Sequence, residues 1–180
     1  MAKPSKQITQ IRRDGDVLSW RIRSHDIGPD DVIDASFICG KDDETDLAKR
    51  FNALKVSAVR GRLEIRQIAA GCWQVQLTFS LIVIQECVVS FEPVETKIEA
   101  EADERFVRNL ETQEEIDPEE LDVDVLDDGA IPLGEVIAQN IGLNLPEYPR
   151  SPQAPVMDDE PAPQQRNNPF QVLSELKNSE

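Results

Sequence analysis

The chain has 180 residues, with 35 acidic against 19 basic side chains and a net charge of −16. That length holds one domain with an ordinary core and a tail, and that charge argues against coating nucleic acid, whose phosphates ask for cations. No apolar run approaches the roughly 20 residues of a membrane span, the polar start MAKPSKQITQIRRDG has no signal-peptide core, and three widely spaced cysteines fit a reducing cytoplasm rather than a disulfide framework.

The charge is uneven. Residues 1–70 carry 13 basic and 11 acidic side chains, whereas residues 71–180 carry 6 and 24. Within 99–128 alone, 14 acids face only Arg105 and Arg108. Such a stretch attracts a basic partner, or is simply a solvated surface.

In chain order, GDVLSWRIRSHD alternates, with Leu18, Trp20 and Ile22 on one side, and predicts a half-buried strand. DIGPDDVIDAS reads as a turn-rich stretch. DETDLAKRFNAL places Leu47, Phe51 and Leu54 at helical spacing, acids first and bases after, as a helix dipole favours. VRGRLEIRQI predicts a strand with Val59, Leu63 and Ile65 on one face and Arg60, Arg62 and Arg66 on the other. Gly71 marks a hairpin turn. CWQVQLTFSLIVI is the clearest strand, with Trp73, Val75, Leu77, Phe79, Leu81 and Val83 on one face. VETKIEAEA alternates once more, setting Val94, Ile98 and Ala100 against Glu95, Lys97, Glu99 and Glu101. Short connections between successive strands predict an antiparallel meander.

Glu111 to Asp128 reads as an acidic loop, with a short strand at Leu121 to Val125. IPLGEVIAQNIGLNLP then predicts an amphipathic helix through Leu133, Val136, Ile137 and Ile141, ending near Gly142. In NNPFQVLSELK, Asn168 is a candidate N-cap and Pro169 a first helical residue, with Phe170, Leu173 and Leu176 on one side. This motif either folds back onto the domain or docks on a partner. The fold expected is α+β: an antiparallel, β-rich domain over 1–149 with a few short helices and an acidic loop. A disordered Pro-rich linker is expected over 150–168 and the helical motif over 169–177.

The catalytic inventory is thin. His25 is the only histidine and reads as a surface side chain beside Asp26. There is no G-x-S-x-G and no glycine-rich phosphate loop. LDVDVLDDG lacks the register of a calcium loop. Cys87 is followed three residues on by Ser90 rather than a second cysteine, so it reads as a small buried hydrophobe. No catalytic residue, metal or cofactor is expected. Arg60, Arg62 and Arg66 form a basic stripe that either holds RNA phosphates or pairs with acids of neighbouring strands.

CVVSFEPVETKI, the acidic EADERF, DDGAIPLGEVIAQNIGLNLPEYPR and the terminal NPFQVLSELK together resemble the YceD family in its alphaproteobacterial form. That family is a domain of unknown function, also described as large ribosomal RNA subunit accumulation proteins. The resemblance covers residues 50–177 and rests on Cys87, Glu92, Pro93, Leu133, Gly134, Glu135, Leu145 and Pro146. It implies a cytoplasmic bacterial protein supporting accumulation or processing of large-subunit ribosomal RNA, with no established enzymatic activity. It also implies ribosomal protein L32 as a partner, by analogy of gene neighbourhood. Many relatives carry C-x-x-C where this chain has Cys87 and Ser90, and some carry cysteines after the segment matching Leu145–Pro146, where this chain has Tyr148, Pro149 and Arg150. Their metal ligands are therefore not carried over, and Cys87 is expected to be a packing residue or a vestige.

Charge then shapes the expectation. A basic ribosomal protein or assembly factor is expected to bind Glu99, Glu101, Glu114, Glu115, Glu119, Glu120, Asp122, Asp124, Asp127 and Asp128. The alternative is direct RNA contact through Arg60, Arg62 and Arg66.

Overall fold

The computed structural model describes residues 7–108, 123–126 and 128–155. Glu114, Glu115, Glu119, Glu120, Asp122, Asp127, most of the expected linker and the motif at Phe170, Leu173 and Leu176 lie outside the described residues.

The chain runs β1 (Gln7–Asp14), β2 (Ile22–Arg23), a 3-10 turn (Ser24–Asp26), β3 (Asp31–Ile38), α1 (Lys41–Arg50), β4 (Lys55–Ala69) and β5 (Cys72–Glu86). β6 (Pro93–Val107), β7 (Asp124–Val125), β8 (Ala130–Ile131) and α2 (Leu133–Leu143) follow. Six strands form one sheet in the order β1-β3-β4-β5-β6-β7, and β2 with β8 forms a small separate ribbon.

The antiparallel expectation holds for the middle of the sheet and fails at its margins. β3, β4, β5 and β6 are antiparallel neighbours. β1 runs parallel to β3, and β7 runs parallel to β6, so the sheet is mixed. Parallel neighbours need a crossover rather than a hairpin. Between β1 and β3 the crossover occupies residues 15–30, and it buries Val17, Trp20 and Ile27. The alternation of Leu18, Trp20 and Ile22 therefore does not make the expected strand. Residues 17–20 turn, with Trp20 N–H donating to Val17 C=O, and only Ile22–Arg23 pairs.

β3 was hidden inside a stretch read as turns. Gly28-Pro29 and the Asp30-Asp31 pair read as a turn, and apolar Val32 and Ile38 on its outer face blur its alternation. Ile33, Ala35 and Phe37 point into the core while Ser36 stays exposed. β4 and β5 follow their predicted faces: Val59, Leu63 and Ile65 are buried, as are Trp73, Val75, Leu77, Phe79, Leu81 and Val83. Gly71 turns the hairpin with φ 73°, a left-handed value that a side chain resists. β6 extends through EADERF to Val107, further than the sequence pattern reached.

α2 lies against the inner face of the sheet. Leu133, Val136, Ile137 and Ile141 are buried in the same core as Leu63, Leu77 and Val83. At roughly 1.5–3 kcal/mol per fully buried aliphatic side chain, this helix is a large part of what holds the second layer on. Among the described residues no helix is long and apolar enough to cross a membrane.

Candidate functional site

Cys87 sits just past the end of β5, with no accessible surface. Its neighbours are backbone donors rather than core side chains. The N–H groups of Val89, Ser90 and Ser151 point at its sulfur from 3.4, 3.4 and 3.3 Å. The Ser151 N–H, then the hydroxyl and N–H of Ser90, pull the thiol down to about 6, against the upward push of desolvation. Three oriented N–H dipoles favour the thiolate. The expectation of a plain packing residue is therefore incomplete, because this sulfur is a hydrogen-bond acceptor that ties its own turn to the segment after α2.

The rest of this corner belongs to the same knot. Cys87 N–H donates to Glu92 C=O, and Val88 N–H donates to Pro149 C=O. Gln85 Nε2 donates to Pro146 C=O at 3.2 Å. Glu92 closes the turn and Pro93 opens β6. Nothing in the linear sequence marks Ser151 as a partner of Cys87. Cys39 is also buried, and burial beside Asp43 and Glu44 pushes its thiol up to about 12. Among the described residues no three His, Cys, Asp or Glu side chains are placed to hold a metal ion.

The arginine stripe lies on the outer face of β4. Arg62 grips Asp34 of β3 with Nε at 2.6 Å and Nη2 at 2.5 Å. Arg66 donates twice to Gln74 Oε1, and Gln74 Nε2 donates to Asp103 of β6. Arg60 reaches Ser80 Oγ at 3.4 Å and faces the charge of Glu99. The structure thus places the three arginines together and engages each of them with an acceptor on an adjoining strand, Arg60 by a single long bond.

β6 carries the complementary row. Glu95, Lys97, Glu99, Glu101 and Asp103 share its exposed outer face. Glu99 forms an ion pair with Lys97, which holds its carboxyl below the usual range. Asp124 lies in β7 and is exposed, and Asp128 pairs with Arg21 at 2.8 Å. The outer face is therefore polarised, with arginine in the middle and acid along one margin. Glu95 was read onto this face from the sequence but not among the partner contacts, and Asp103 was not read onto it. The signal for Asp103 was the alternation of VETKIEAEAD continuing past Glu101.

The remaining motif residues secure α2. Gly134 packs against the backbone of residues 17 and 18: a Cβ there would run into the carbonyl of Leu18. Its N–H donates to Trp20 C=O at 2.9 Å. Leu133 is fully buried, and Leu145 packs on the core edge. Glu135 takes a two-pronged contact from Arg50 of α1, at 2.8 and 2.5 Å, which lowers its pKa.

A family model described as "Large ribosomal RNA subunit accumulation protein YceD" matches residues 75–177. That span takes in the Cys87 corner, β6 and α2. No curated protein and no solved structure matches the chain.

Proposed function

Because the chain belongs to the YceD family, whose description carries a role in accumulation of large-subunit ribosomal RNA, we propose that it acts without catalysis, in the cytoplasm, by holding a basic ribosomal protein or assembly factor. Ribosomal protein L32 is the first candidate. The observation behind this reading is the exposed acidic row of Glu95, Glu99, Glu101 and Asp103 on β6. It offers several carboxylates at regular spacing to a cationic surface. The contact is electrostatic, fast to form and weakened by salt.

Direct RNA binding through Arg60, Arg62 and Arg66 is the second reading, and the exposed Arg60 favours it. Phosphates would, however, have to displace Asp34 from Arg62 and Gln74 from Arg66. A pull-down from cells, at low and at ~0.5 M salt, with and without nuclease, separates the two. Basic proteins retained after nuclease and lost in high salt support the acidic reading. Precursor RNA as the main companion, with everything lost to nuclease, overturns it in favour of the arginines.

A further inference from the structure

The acidic row lies on a strand whose outer margin is largely unpaired among the described residues. β6 spans Pro93–Val107, and all 15 of its residues pair with β5. On its other side, among the described residues, only Phe106 and Val107 pair, with Asp124 and Val125. Just past β7, Leu126 N–H donates to Val107 C=O at 2.9 Å, and no other described backbone group bonds to that side over residues 94–104. In a strand, alternate residues turn their N–H and C=O outward. Residues 94–104 therefore present a ladder of backbone donors and acceptors to whatever lies beside them.

The side chains of this ladder sort by face. Outward lie Glu95, Lys97, Glu99, Glu101 and Asp103, all exposed. Inward lie Ile98, which is buried, and Val94, Thr96, Ala100, Ala102 and Glu104, which are half-buried, the last taking a bond from Asn140 of α2. Small and apolar side chains at a half-covered margin leave room for one more strand against the core.

We propose that this margin of β6 receives an extended basic segment of a partner protein as an added strand. The proposal rests on the acidic-partner reading and specifies its mode. Directly opposed side chains on neighbouring strands sit ~5 Å apart, so lysine or arginine at every second position would meet the acidic row. Apolar or small residues between them would cover Ala100 and Ala102. The backbone ladder supplies affinity and the alternation supplies selectivity. A second copy of β6 is a poor occupant, because it would set carboxylate against carboxylate.

The test uses the full chain and two synthetic peptides of about twelve residues with the same composition. In one, lysine alternates with valine and threonine; in the other, the lysines form a block. Binding is read by titration at low salt, and backbone pairing by amide hydrogen exchange. The expected result is that the alternating peptide binds at least ~10-fold more tightly than the block peptide. It slows exchange at alternate residues between 94 and 104, and the quadruple variant E95Q/E99Q/E101Q/D103N loses that binding. If both peptides bind equally without slowing exchange, charge attraction alone operates: the added strand is wrong and the acidic-partner reading stands. If neither binds, both fall. If the alternate amides are already protected in the free chain, its own residues or a second copy occupy the margin and the proposal fails. Sedimentation then tells which.

Discussion

The backbone N–H of Ser151 donates to the thiol sulfur of Cys87 at 3.3 Å, across 64 residues of sequence. This contact pins the segment after α2 to the β5–β6 turn. It also gives the cysteine a structural role as an acceptor.

The sulfur accepts three N–H bonds, and its pKa falls to about 6 in the folded chain. An unfolded thiol titrates near ~8.5. Between these values the unfolded state binds more protons, so this group adds stability as pH rises. The contribution is complete above about pH 8.5 and is lost as pH falls through about 6. Urea midpoints measured across that range should show wild type gaining on Cys87→Ala as pH rises. Amide exchange at residue 151 should be faster in the variant. Parallel pH profiles for the two proteins would refute the assignment.

Asp43 is a buried carboxylate at the start of α1. It accepts the N–H groups of Val17, Leu18 and Gly40 at 3.1, 3.2 and 2.9 Å. Asp43→Ala leaves three donors without a partner, and should cost ~2–4 kcal/mol in chemical denaturation. Asp43→Asn keeps one acceptor oxygen, so its loss should be roughly half as large. Equal losses for the two variants would mean that packing matters more than the acceptor.

Gly134→Ala pits two effects against each other. Alanine is favoured by ~1 kcal/mol in a helix interior. At this position, however, its Cβ overlaps the carbonyl of Leu18, which is backbone and cannot swing aside. The overlap should win, with a net loss of ~1–3 kcal/mol. A variant as stable as wild type would show that residues 17–18 can move away from α2.

Arg50 and Glu135 join α1 to α2, with side chains 44% and 43% exposed. At that exposure the pair is worth at most ~1 kcal/mol. A double-mutant cycle with Arg50→Ala and Glu135→Ala should give a coupling in that range, shrinking at ~0.5 M salt. The carboxyl's pKa is lowered by Arg50, so the coupling is present above the ordinary carboxylate range and disappears as pH falls through and below it. A coupling insensitive to both salt and acid would contradict a charge-based contact.

Periodicity alone revealed α2, β4 and β5, because each has one face in the core. Leu133, Val136 and Ile137, or Leu77, Phe79 and Leu81, must then recur at the spacing of their element. β3 was illegible because Gly28, Pro29 and two aspartates open it like a turn, and Val32 and Ile38 put apolar residues on its outer face. The segment at Leu18 to Ile22 imitated a strand because a crossover that buries Val17 and Trp20 can also show apolar residues at alternate positions.

The sequence by itself determined the charge polarity of the chain, the arginine and acid positions and the family motif, since these depend on residue type and order alone. Only the tertiary structure decided what those residues face. Pairing between strands distant in sequence set Asp34 on Arg62 and Gln74 on Arg66. The fold brought Ser151 to Cys87 and, among the described residues, paired the outer side of β6 only at Phe106 and Val107, beside its acidic row. Hydrogen bonds and ion pairs act over a few ångströms, and which groups come that close is set by the packing of the whole chain.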